Sequence, residues 1–82
     1  MKLPVYKNLQ KACSFEEMES TLNVLEAYAD SPAVKDEEKE AIGEIISNIC
    51  GAIEMKSLVE NGMSERDAAN HFMKRVIGSI DR

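Results

Sequence analysis

A small all-α bundle of about four helices in up-and-down order, paired with a second copy of itself, is the architecture this sequence predicts. Three observations predict it. Apolar residues recur at helical spacing through four stretches, and no run alternates as a half-buried strand would. Residues that start or stop helices fall between those stretches: Ser14 with Glu17, Asp30-Ser31-Pro32, Asp36, Asn61-Gly62 and Ser64. With 82 residues, folding hides only about 60 to 65% of the unfolded surface, so the expectation is a single domain, residues 1–82, with a modest core. Hydrophobic residues at 44% and charged residues at 30% exclude collagen-like and strongly disordered chains.

The first helix is short. Pro4 suits an opening turn, where its missing N–H costs nothing, and Val5, Tyr6, Leu9, Ala12 and Cys13 then share one face. Lys7, Gln10 and Lys11 fall opposite. Ser14 and Glu17 form a capping box, so a second helix starts near Phe15 with a seam of Phe15, Met18, Leu22, Leu25 and Ala29, broadened by Val24 and Tyr28. Pro32 ends it. Asp36 is the expected N-cap of the third helix, and Glu37 and Glu38 complement the positive end of its dipole. Nothing then breaks the pattern until Asn61-Gly62, which supplies a left-handed C-terminal cap. Ser64 opens the fourth helix, whose apolar face is Ala68, Ala69, Phe72, Met73, Val76, Ile77 and Ile80.

The third helix carries the most information. Its 25 residues make a rod of about 37 Å, whereas neighbours of about sixteen residues reach only about 24 Å. Ala41, Ile42, Ile45, Ile46, Ile49, Cys50, Ala52 and Ile53 share a broad arc, as in a helix packed against two neighbours. Gly43, Ser47 and Gly51 recur every four residues as a ridge of small side chains, with Met55 and Leu58 beyond. A helix-interior glycine costs roughly 1 kcal/mol relative to alanine, so the ridge needs a reason: a crossing within the chain, a bend at Gly51, or a contact with a second copy. The expected core is Leu9, Phe15, Leu22, Leu25, Ile42, Ile45, Ile49, Ile53, Phe72, Val76 and Ile77. Met18, Met55, Met63 and Met73 suit either a core or an adaptable binding surface.

Charge excludes some partners. The net charge is −5, and the segment from Glu16 to Glu40 holds nine acids against Lys35 and Lys39. Such a segment repels phosphate and anionic membrane. No apolar run approaches the roughly 20 residues of a membrane span, and no charged leader precedes one, so a cytoplasmic location is expected. Cys13 and Cys50 belong to no metal-binding or dithiol spacing and are expected to be buried, reduced thiols. His71 falls on a polar face with Asp67, Lys74 and Arg75, short of the three or four ligands a metal wants. The acids lack the alternating order of a calcium loop, and phosphate-binding and nucleophile motifs are missing, so neither an enzyme nor a cofactor is expected.

Asn61-Gly62-Met63-Ser64-Glu65-Arg66-Asp67-Ala68-Ala69 is similar to the opening of many helix-turn-helix units. The similarity stops where His71-Phe72-Met73-Lys74-Arg75-Val76-Ile77 continues helical, and Lys74, Arg75 and Arg82 offer few phosphate contacts. Four stretches together carry a wider likeness: Met1-Lys2-Leu3-Pro4, residues 42–54, Gly62-Met63, and residues 72–81. They resemble an uncharacterised family of short all-helical bacterial proteins of unknown function. The resemblance implies a complete natural gene product and brings no catalytic residue with it.

The expected role is a small helical interaction or accessory protein that self-associates through its long helix. Gly43, Ser47, Gly51, Met55 and Leu58 are the candidates for the contact. A homodimer and a protein partner are the expected associations, with no membrane partner. The alternative is a regulator contacting nucleic acid through the C-terminal helix.

Overall fold

The computed structural model describes residues 3–80, and their side chains apart from Phe72 and residues 75–80. The described residues form four helices: α1 (Leu3–Ala12), α2 (Phe15–Ala29), α3 (Asp36–Glu60) and α4 (Glu65–Ile80). No strand occurs among the described residues.

Local chemistry sets the boundaries. The Ser14 hydroxyl accepts from the Glu17 N–H at 3.1 Å while the Glu17 carboxylate accepts from the Ser14 N–H at 2.9 Å, closing the box that starts α2. α3 begins differently from expectation. Asp36 is its first helical residue, and the cap is Lys35, in extended conformation with no side-chain acceptor for the first turn. Glu38 still reaches back, accepting from the Lys35 N–H at 3.2 Å. At the far end of α3, Gly62 has φ +101°. Its N–H donates to the Val59 carbonyl at 3.1 Å, and the Met63 N–H to the Leu58 carbonyl at 3.2 Å, the paired bonds of a Schellman cap. The Ser64 hydroxyl accepts from the Asp67 N–H at 3.1 Å and starts α4.

Among the described residues, α3 is a spine against which each of the other helices packs. Two buried clusters ride on it. One joins Tyr6, Met55, Ala68 and Ala69, flanked by Leu3, Leu58, Val59 and Met63. The other joins Met18, Ile49 and Ala52, flanked by Leu9, Cys13, Leu22, Leu25 and Ile53. Half-buried Lys56 ties α3 to α1 and α2. Its ammonium donates to the Gln10 carbonyl at 3.1 Å, lies 5.5 Å from the Phe15 ring centre and sits 3.9 Å from Glu60. Gln10 in turn donates through Nε2 to Glu65 at 3.1 Å, and Lys11 pairs with the same carboxylate at 3.2 Å.

Several expectations are corrected. Gln10 is buried, while Val5 and Ala12 are exposed, because the Glu65 carboxylate gives the amide a partner and turns α1 toward it. Ile45 is 47% exposed rather than core, since α1 is too short to reach that turn of α3. Leu9, Phe15, Leu22, Leu25 and Ile53 are half-buried, as the flanks of a thin molecule measuring 43 × 32 × 17 Å. Cys13 is half-buried and Cys50 exposed; Cys50 lies beyond the edge of the face that α2 covers. Met55 and Met18 belong to the core, not to a surface. Ile42 and Ile49 are buried as expected. The side chains of Phe72, Val76 and Ile77 lie outside the described ones, as does that of Arg75.

Candidate functional site

The ridge on α3 divides at its middle. A Cβ built on Gly51 would lie 2.7 Å from Tyr6 Cζ and 2.9 Å from Cε2, so this glycine exists to let the Tyr6 ring lie flat against the α3 backbone. Met55 is fully buried and Leu58 half-buried beside it, both in the cluster that holds Tyr6. Of the five candidates, then, three serve the packing of α1 and α4 onto α3. Gly43 and Ser47 are exposed, and a Cβ on Gly43 would meet nothing within 4 Å. Cys50, also exposed, continues their line at the next turn. This half of the ridge faces outward.

A second uncovered feature lies elsewhere on α3. A groove of about 280 Å³ opens between α1, α2 and α3, lined by Leu9, Cys13, Glu17, Met18, Thr21 and Ile49. Its lining is mainly apolar, and the Glu17 carboxylate at its edge is partly engaged by the Ser14 N–H. The position of the groove follows from chain lengths: ten residues of α1 cannot cover the flank that fifteen of α2 and twenty-five of α3 create. Periodicity alone marks Leu9, Met18 and Ile49 as interior, and the spacing gives no sign that they also border a groove.

Titratable chemistry is sparse. His71, Asp67 and Lys74 are all exposed. Among the described residues, no group of three or more His, Cys, Asp and Glu side chains converges as a metal would require. Burial pushes the Tyr6 phenol above its ordinary value. No helix among the described residues is long and apolar enough to cross a membrane.

A family model of unknown function matches residues 1–81. The chain belongs to the DUF6952 family. The match covers nearly its entire length, as did the likeness carried by residues 42–54 and the C-terminal segment, and the short helical character inferred from that likeness holds in the fold. Neither a curated protein nor a solved structure matches the chain. For this DUF6952 member the functional argument therefore rests on the two uncovered faces of α3.

Proposed function

We propose that this chain is a helical interaction protein that pairs with a second copy of itself across the outward half of the α3 ridge, at Gly43, Ser47 and Cys50. The observation that carries the reading is Gly43. A glycine inside a helix costs about 1 kcal/mol; Tyr6 accounts for Gly51, whereas no neighbour among the described residues accounts for Gly43. A close approach by another helix does. Shape adds support. The chain exposes 5733 Å², against about 4,900 Å² for a closed monomer of this mass. The excess is close to the roughly 800 Å² that each partner buries in a standard interface. The radius of gyration, 14.0 Å, likewise exceeds the roughly 11.7 Å of a compact domain of this length.

An antiparallel pair suits the charges. Asp36, Glu37, Glu38 and Glu40 crowd the first turns of α3 against Lys35 and Lys39. Parallel helices would stack those acids, whereas antiparallel ones place them at opposite ends and oppose the helix dipoles. The two-fold axis then passes near Ser47, with Gly43 facing Cys50 of the other copy. A reducing cytoplasmic setting suits an exposed thiol at such a place. Catalysis and nucleic acid have no part in this reading.

Gly43→Leu tests it. The substitution enters open space, so the monomer folds as before, and the added side chain blocks helix approach. Light scattering should give twice the chain mass for the wild type and the single mass for the variant. Ser47→Cys in a Cys50→Ser background should then form a covalent dimer under mild oxidation. A wild type that is monomeric at high concentration, or a Gly43→Leu protein that stays dimeric, would overturn the reading.

A further inference from the structure

We propose that Asn61 is a covalent modification site: its side-chain amide is converted through a cyclic imide to aspartate and isoaspartate, at a rate set by opening of the cap that ends α3. The sequence selects the residue. Ring closure needs an asparagine whose following residue leaves its backbone nitrogen unshielded, and glycine, with no Cβ, does so best. Asn8, Asn23, Asn48 and Asn70 precede Leu9, Val24, Ile49 and His71, whereas Asn61 precedes Gly62. Asn61 and Gly62 are both exposed, and a Cβ built on Gly62 would meet nothing within 4 Å, so there is room for the ring and access for water.

The chemistry balances with water as its only co-reactant. The Gly62 nitrogen attacks Asn61 Cγ and a new N–C bond forms. The bond from Cγ to the side-chain nitrogen breaks, and that nitrogen leaves as ammonia with the proton Gly62 gives up. Water then adds to either carbonyl of the ring. Addition at Cγ restores the original main chain and leaves aspartate; addition at the backbone carbonyl leaves isoaspartate, whose main chain runs through the side-chain carbons.

The closed cap holds this reaction back. The Gly62 N–H donates to the Val59 carbonyl at 3.1 Å, and the Asn61 N–H to the Ser57 carbonyl at 3.1 Å. At ψ 11° the Gly62 nitrogen nearly eclipses the backbone nitrogen of Asn61, which turns it away from the side chain it must attack. Ring closure therefore requires rotation about the Cα–C bond of Asn61, and that rotation breaks the bond to Val59. Met63 resists it: its N–H donates to the Leu58 carbonyl at 3.2 Å, and both side chains flank the cluster of Tyr6, Met55, Ala68 and Ala69. Helix ends open at far lower free energy than the whole fold, so the reactive form is reached without global unfolding. The product closes the cap less well. It sets a carboxylate at the negative end of the α3 dipole, next to Glu60, and in isoaspartate the lengthened main chain draws the Gly62 and Met63 N–H groups off their carbonyls. Docking of α4 on α3 is loosened as a result.

The experiment incubates the full chain at mildly alkaline pH, with graded urea, and follows each asparagine by peptide mass spectrometry, with chromatography separating the aspartate and isoaspartate products. Asn61 should convert first, about tenfold or more slowly in the folded protein than in denaturing urea. Below the unfolding midpoint its rate should rise in step with hydrogen exchange at the Gly62 amide. Met63→Ala, with its helices verified by circular dichroism, should speed conversion of the folded protein about fivefold, and Asn61→Gln should abolish the product. Intact Asn61 in denaturing urea, or another asparagine converting before it, would overturn the site. Equal rates in folded and unfolded protein, or a rate that follows global unfolding rather than Gly62 exchange, would overturn the gating by the cap. So would a folded Met63→Ala protein that converts at the wild-type rate.

Discussion

Tyr6 and Gly51 illustrate how one residue accounts for another. The ring fills the space a side chain would need, so Gly51→Ala pits a gain in helix propensity of about 1 kcal/mol against displacement of a ring that is only 5% exposed. Displacement wins: overpacking costs about 1 to 3 kcal/mol, so the expected net loss is about 1 kcal/mol in a urea melt. In a Tyr6→Val background the same change should become stabilising, and a double-mutant cycle that found no coupling would contradict the contact. The phenol also sets an alkaline limit. Its folded-state pKa is raised by burial, so the stability it contributes is complete below the ordinary value near 10 and is lost as pH rises through the folded value. Tyr6→Phe should flatten the fall in stability above that pH, and an unchanged alkaline slope would exclude Tyr6 as its source. The ridge of small residues was legible in the sequence; its division into an inner and an outer half was not, because a glycine gives no sign of what covers it.

Elements were legible where local chemistry alone decides them. The Ser14–Glu17 box and the Gly62 cap stand where the sequence places them because each is completed within a few residues. Lys35 shows the opposite case: the reach of Glu38 back to its N–H fixes the start of α3, although Asp36 is the residue of preferred capping type. One half of a capping box is therefore missing, and Lys35→Ser should supply it, raising stability by about 0.5 to 1 kcal/mol as read from the thermal midpoint. A variant no more stable than the wild type would show that the first turn of α3 is already satisfied. The burial of Gln10 lay beyond local reasoning because its partner, Glu65, is 55 positions away. Lys56 is a like case: its ammonium donates to the Gln10 carbonyl, 46 positions away, and lies over the Phe15 ring.

At the scale of the whole molecule, the sequence announced a rod too long for its neighbours, and α3 runs unbroken from Asp36 to Glu60. Which sides stay bare depends on how three shorter helices share its length, and that is a property of tertiary packing rather than of periodicity. Hydrogen exchange should follow the same geometry. Amides from Asn48 to Met55, where both clusters meet, should be the slowest in the protein, with those of α1 and of the first turns of α3 exchanging well before them. Uniform protection across all helices would argue against a spine. Carrying both clusters on one uninterrupted helix also locks them in phase. A single residue inserted between Ala52 and Met55 would turn one set of contacts by about 100° relative to the other, so length changes in this chain belong in its loops, and the centre of α3 must keep its count.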